Sequence, residues 1–311
     1  MPALAAALVS WVLLTLTFAW LLGYFETYIG EEVLGVGLFF SSTTVYVVFV
    51  GAWVIRESGR VVAELPLSCS EEEQLGLVQR ITRVTLQHFL LVSSYGLVLG
   101  IVHTMIMIGS YDLSLILTST SFGVGAWLGT MIAWFLITHI VVAFIDNAGT
   151  FARIGAEYLT VDLLRPKSTY PLGRAALLPT LCLIGTQAMY PLIALGGEMN
   201  LVTVLPGFGI TLIALVYLFL RSTFPLHQRL SALKAEELER IARSLQSIDR
   251  SDEGSWESLN RLLTLRDHME RTSEWPFKLS TIARWSLYLT IPPLTWVGAA
   301  LIENVVDFVL N

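Results

Sequence analysis

Apolar residues in this chain come in long blocks, not in the finely mixed pattern of a soluble fold. Six blocks, at about 3–24, 33–55, 83–108, 124–146, 175–195 and 201–220, are nearly free of charge. Roughly 20 apolar residues in a helix cross the ~30 Å of hydrocarbon in a bilayer, so each block predicts a spanning helix. A seventh block, about 285–308, carries Pro292-Pro293 near its middle. Proline removes a backbone donor and kinks or breaks a helix, so this segment either crosses as a kinked helix or re-enters without crossing. The first block has no basic region before it, which predicts a retained span and not a cleaved signal peptide.

The polar stretches between the blocks carry their own pattern. Ser70-Glu71-Glu72-Glu73 has the S-x-x-E form of a capping box, which satisfies the free N–H groups of a helix start. Apolar positions then continue through Leu75, Leu77, Val78, Ile81 and Val84, so the third span is expected to begin as one helix well before the membrane. After the sixth span, Pro225 is expected in a first helical turn. It is followed by a stripe of Leu230, Leu233, Leu238, Ile241, Leu245 and Ile248. The run from Asp249 to Gly254 breaks that helix, and Trp256, Leu259, Leu262, Leu263 and Met269 form a second stripe. The expected organisation is an all-α polytopic bundle with six spans over 1–221, an antiparallel helical hairpin over 222–284, and the kinked or re-entrant helix over 285–311. Two helical arms bury little alone, so the hairpin is expected to rest on other helix ends or on a neighbouring subunit. Glu274-Trp275-Pro276-Phe277 places aromatics where the chain returns to the interface, a common position for them.

Composition sharpens this picture. The chain has 311 residues, of which 54% are hydrophobic and 14% charged, against about 25% charged in soluble domains. A water-soluble enzyme is excluded on that ground. Cys69 and Cys182 fall in a charged loop and an apolar block and form no disulfide framework. A net charge of -6 without a basic, aromatic-rich patch gives no nucleic-acid partner.

All 19 basic residues fit on one side of the bundle, from Arg56, Arg60, Arg80 and Arg83 to the group beyond Arg221. Lys and Arg stay in the cytoplasm during insertion, so that side is expected to be the cytosol, with a cytoplasmic N-terminus and the chain in the cell membrane. The other side is acidic, with Glu26, Glu31, Glu32, Asp112 and Glu198, joined by Glu303 and Asp307 if the last helix crosses. Glu31, Glu32, Asp112 and Glu198 would form an outer vestibule that concentrates cations. The alternative is that acids are simply tolerated where Lys and Arg are excluded.

The string Thr118-Ser119-Thr120-Ser121-Phe122-Gly123-Val124-Gly125 follows an acidic turn at Asp112 and precedes a span. It resembles the selectivity-filter signature of the potassium channel family, T-x-T-T-V-G-Y-G, with Val124 at the family's aromatic position and Ala126 at the Asp that usually follows. The resemblance covers eight positions. It implies a filter in which backbone carbonyls at Thr118, Thr120, Ser121, Phe122, Gly123, Val124 and Gly125 replace the hydration shell of a monovalent cation. The alternative starts from three G-x-G strings, Gly35-Val36-Gly37, Gly123-Val124-Gly125 and Gly207-Phe208-Gly209, each near the acidic start of an even-numbered span. These suggest a weak threefold repeat in which glycines let helix backbones approach closely.

Ionisable residues within spans are functional candidates. His88 and His139 lie at similar depths on the third and fourth spans, and His103 lies nearer the acidic side. Two facing imidazoles could ligate a b-type haem. Hydrogen bonding to Gln87, Thr104 or Thr138 is the simpler expectation, and no cofactor is expected. Pro292 and Pro293 could free carbonyls for an ion, as broken helices do in transporters, or simply kink the helix. No span carries an arginine ladder or a Schiff-base lysine, and no Walker, H-E-x-x-H or G-x-S-x-G motif occurs, so no enzymatic activity is expected. The stretch from Arg266 through Glu274-Trp275-Pro276-Phe277 and IPPLTWVGAALIE resembles uncharacterised prokaryotic multi-pass membrane proteins.

Together these features predict an oligomeric, cation-conducting channel in the lipid bilayer, assembled from copies of the same chain. The alternatives are a membrane sensor acting on a cytosolic protein partner through the hairpin, a non-conducting subunit of a larger complex, or a transporter built on the kinked last helix.

Overall fold

The computed structural model describes residues 2–22, 31–108, 121–164, 166–194, 201–247 and 255–277, with isolated positions between 283 and 301. The described chain is all-α. Its helices are α1 (Pro2–Leu21), α2 (Glu31–Glu64), α3 (Glu71–Thr82), α4 (Leu86–Ile108), α5 (Ser121–Arg153), α6 (Tyr170–Gln187), α7 (Leu201–Gln246) and α8 (Ser255–Arg271). A π-helical turn, Ile154–Tyr158, extends α5, and short 3-10 turns at Pro166–Thr169 and Tyr190–Ala194 flank α6. Among the described residues five helical stretches are long and apolar enough to cross a membrane, beginning at Ala3, Leu34, Glu71, Val124 and Tyr170. The sixth expected span falls in the first part of α7.

Three apolar clusters stack from the acidic to the basic end. Phe18, Leu22, Phe39, Phe40 and Ala133 form the first. Val47, Val54, Ile140, Phe144, Cys182, Leu183 and Leu218 form the middle one. Val62, Leu65, Leu77, Ile81, Phe151, Ile154, Leu172, Leu226 and Leu230 form the third. The third cluster draws on α2, α3, α5, α6 and α7 together, so the basic end is a packed layer continuous with the bundle. On the outside, α1 shows Leu4, Leu8, Val12, Leu13, Leu16 and Trp20 to the surroundings, as a lipid-facing helix does. It is held to α2 by hydrogen bonds from Trp11 Nε1 to Ser42 Oγ (2.9 Å) and from Thr15 Oγ1 to Ser41 Oγ (2.9 Å).

The capping box opens α3 as expected: Ser70 Oγ accepts from the Glu73 N–H at 3.2 Å and Glu73 Oε2 accepts from the Ser70 N–H at 3.0 Å. The helix does not run on into the third span. It stops at Arg83, which is extended at φ -115° and ψ 138°, and α4 starts afresh at Leu86. The apolar positions of α3 serve a different surface from those of α4. Leu77 and Ile81 are buried in the basic-end layer, and the Gln74 carboxamide donates to the Val62 and Ala63 carbonyls at 2.9 and 3.0 Å, capping the end of α2. A straight continuation would pull that face off the layer, so the chain turns. An isolated β-bridge between Leu67 and Leu159 ties the α2–α3 connection to the end of α5.

The boundary expected at 221/222 is also absent from the helix. Pro225 lies inside α7, which continues unbroken for 46 residues, about 69 Å at 1.5 Å per residue. Interior proline costs about 3 kcal/mol or more. Leu218, Leu226 and Leu230, each at most 2% exposed, bury on both sides of it and carry the helix through. The expected sixth span and the first hairpin arm are therefore one rod.

Candidate functional site

The centre of the bundle is α6, the most buried and least apolar of the five long stretches. It carries Thr180, Cys182, Thr186 and Gln187, all buried. Buried polar groups require hydrogen bonds, and these find them within the bundle. The Gln187 carboxamide donates to Thr211 Oγ1 of α7 at 2.6 Å, Thr186 Oγ1 donates to the Cys182 carbonyl at 3.2 Å, and Thr180 Oγ1 donates to the Leu177 carbonyl at 2.6 Å. Tyr46 of α2 lies over Gly185, where any larger residue would displace its ring. Polar side chains inside a membrane bundle are costly and mark function. Because α6 touches α2, α5 and α7, a change at this belt is felt by three neighbours.

His88, His103 and His139 line the α4–α5 seam. His139 has both ring nitrogens engaged, Nδ1 at 2.8 Å from the Phe135 carbonyl and Nε2 at 3.3 Å from Ser93 Oγ, and its ring rests on Phe135 and Phe89. His88 Nε2 lies 3.2 Å from Asp146 Oδ2, and the His103 ring sits against Trp134 at 5.6 Å. The three therefore serve separate partners. Paired haem ligation by His88 and His139 would first have to break the contact between His88 Nε2 and the Asp146 carboxylate. The polar partners differ from the expected Gln87, Thr104 and Thr138: Thr104 bonds instead to the Gly100 carbonyl at 2.8 Å.

Thr118, Ser119, Thr120, Asp112, Glu198, Glu303, Asp307, Glu26, Pro292 and Pro293 lie outside the described residues. Glu31 and Glu32 form the first turn of α2. Ser121, Phe122, Gly123, Val124 and Gly125 open α5 as helix, where each carbonyl accepts a hydrogen bond from four residues ahead. The extended conformation that a carbonyl filter needs is not adopted by these five residues. A Cβ on Gly125 would stand 2.8 Å from the Leu21 carbonyl oxygen, so this glycine seats α5 against the end of α1. Gly37 meets Leu22 and Phe18 of the same helix end, and Gly209 meets nothing within 4 Å among the described residues. The close-packing alternative describes Gly37 and Gly125.

Sequence reasoning overlooked two G-x-x-x-G runs, Gly96–Gly100 on α4 and Gly125–Gly129 on α5, although that spacing in an apolar helix is a known packing signal. Gly96 brings α4 within 3.0 Å (measured from a Cβ added there) of the Phe135 Cα, and Gly100 lies over Met131. It also overlooked Gln187, Thr211 and Tyr46. The signal there was the concentration of hydroxyl, amide and proline in a block that still reads as a span.

At the basic end the α7 rod is clamped at successive heights. Arg229 donates to the Gly155 carbonyl in the π-turn at 3.1 Å, and a Cβ on Gly155 would meet Leu226 at 2.8 Å. His227 stacks on Trp275 with ring centroids 4.2 Å apart and planes 8° off parallel, and Phe277 lies beside Phe219 at 5.9 Å. Lys234 Nζ donates to the Glu270 and Thr272 carbonyls at 3.1 and 3.0 Å and pairs with Glu274 at 3.3 Å. A cation at a helix C-terminus satisfies its last carbonyls and its dipole, so Lys234 anchors the end of α8. Arg240 is pushed above the ordinary guanidinium range by a hydrogen bond to Glu237 and by the charge of that carboxylate. It stays charged throughout the physiological range.

No protein-family model, curated protein or solved structure matches the chain, and its own helices make it an all-α, multi-pass membrane protein.

Proposed function

We propose that this protein is a membrane transducer: events at the polar belt of the bundle are passed to the hairpin on the cytosolic side, where a protein partner reads them. The observation that carries this reading is the continuity of α7. One helix holds Thr211, the partner of Gln187, near one end and Lys234, the anchor of α8, far beyond the middle. The helix is continuous across Pro225, so tilt or rotation within the bundle moves the hairpin as a lever. The one-sided distribution of Lys and Arg supports a cytosolic hairpin.

Bilayer thickness supplies a physical stimulus for the test, since spans answer mismatch by tilting. With spin labels at Gln246 and Arg153, reconstitution in short-chain and then long-chain lipid nanodiscs is expected to shift the measured distance by several ångströms. Gln187→Leu is expected to reduce that shift. A distance that stays the same in both lipids and in the variant would sink the transducer.

A carbonyl filter, implied by the resemblance at 118–125, requires free carbonyls facing water, and the helical residues 121–125 do not supply them. Purified protein in liposomes is therefore expected to pass potassium no faster than empty vesicles do. Potassium-selective flux that Gly123→Ala changes would restore the channel.

A further inference from the structure

The α2–α5 seam has a fixed register. Phe40 meets Gly129, Gly51 meets Ile140, and Val62 shares a core cluster with Phe151. Each pair follows the last by the same step on both helices, about three turns, so α2 and α5 run parallel with constant offset. Two turns beyond Gly51 on α2 stands Ser58, and two turns beyond Ile140 on α5 stands Asn147. The register sets these two side chains at one level.

Both are enclosed: Ser58 is 0% exposed and Asn147 2%. Ser58 Oγ and Asn147 Nδ2 have no hydrogen-bond partner among the described residues. Buried donors left unmade are costly, and most buried polar groups are satisfied by protein or ordered water. The two groups share a level and neither has a partner among the described residues, so a small polar molecule between them would satisfy both. We propose that Ser58 and Asn147 form a binding site for one internal water molecule that bridges α2 and α5.

The chemistry selects water over other small ligands. Asn147 Nδ2–H requires an acceptor, while the Ser58 hydroxyl can give or take a proton, so the ligand must both accept and donate. Water does both and fits between apolar neighbours, and it is held when two to four polar groups surround it. A bare cation would face the amide N–H and be repelled. The bridge lies between Gly51/Ile140 on one side and Val62/Phe151 on the other. A single polar contact in an apolar helix seam specifies register, and here it fixes how far α2 can slide along α5.

The test is a density map of the full-length protein in nanodiscs, sharp enough to show ordered water. The expected result is a peak within hydrogen-bond distance of both Ser58 Oγ and the Asn147 carboxamide, lost in Asn147→Leu. Ser58→Ala and Asn147→Leu should each lower the unfolding midpoint by about 2–4 °C, and together by less than the sum, because they share the water. Replacing sodium with potassium or choline should leave the midpoint unchanged. A direct Ser58–Asn147 hydrogen bond without a peak, strictly additive shifts, or a sodium-dependent midpoint would each overturn the site.

Discussion

Leucine in place of Gly96 is expected to detach α4 from α5 and cost about 3 kcal/mol of stability, the upper part of the range for overpacking a tight interface. α4 and α5 share the most extensive helix–helix contact in the bundle, and Gly96 packs against the α5 backbone. A Cβ there would stand 3.0 Å from the Phe135 Cα and 3.3 Å from the Trp134 carbonyl oxygen. Those are backbone atoms, which cannot swing aside as a side-chain tip can. Gly149→Ala on α5 is the matched control. Nothing lies within 4 Å of its Cβ position, and exchanging glycine for alanine in a helix gains up to about 1 kcal/mol. Thermal unfolding of the two variants in the same detergent should therefore move in opposite directions. Equal midpoints would show that α4 is not held through this contact.

The second large effect is expected from Lys234→Met. The ammonium is mostly buried, at 13% side-chain exposure, and joins two carbonyls at the end of α8 to the Glu274 carboxylate. Removing one partner of a buried ion pair costs about 3–5 kcal/mol. Glu274 is about one-third exposed, so solvent screening reduces the expected loss to about 2–3 kcal/mol. The loss should be local. Amide exchange should rise across α8 and at Thr272–Trp275, while α6 and the membrane half of α7 keep their protection. Lys234→Arg should restore part of it, since a guanidinium can still reach the carboxylate. If α8 exchanged at the parent rate in Lys234→Met, the lysine would not be the anchor and the lever of the transducer would lack its outer joint.

The legible parts of this fold are those set by local chemistry. Apolar block length marked the spans, and the Ser70–Glu73 capping box marked the start of α3 to the residue. The illegible parts depend on what a side chain meets. Leu77, Ile81 and Val84 read as one stripe, yet the first two face the basic-end layer and Val84 is exposed beyond the break at Arg83. Pro225 read as a helix start because the penalty for interior proline is local and visible, while the burial of Leu226 and Leu230 that offsets it is not. The filter-like string at 118–125 resembled a conduction motif through its glycines. Those glycines permit either unusual dihedrals or close helix contact, and composition does not distinguish the two. At Gly125 the choice was made by the end of α1.

By itself, then, the sequence determined that this chain is an all-α membrane bundle, because transfer of apolar blocks is a property of each segment alone. Only the tertiary structure decided that α6 is the polar centre and that α7 is one rod from belt to hairpin. It alone decided which partners His88, His103 and His139 keep and that Ser58 and Asn147 are both enclosed. Each of those depends on distances between residues far apart in the chain, and such distances are set by how helices fit against one another.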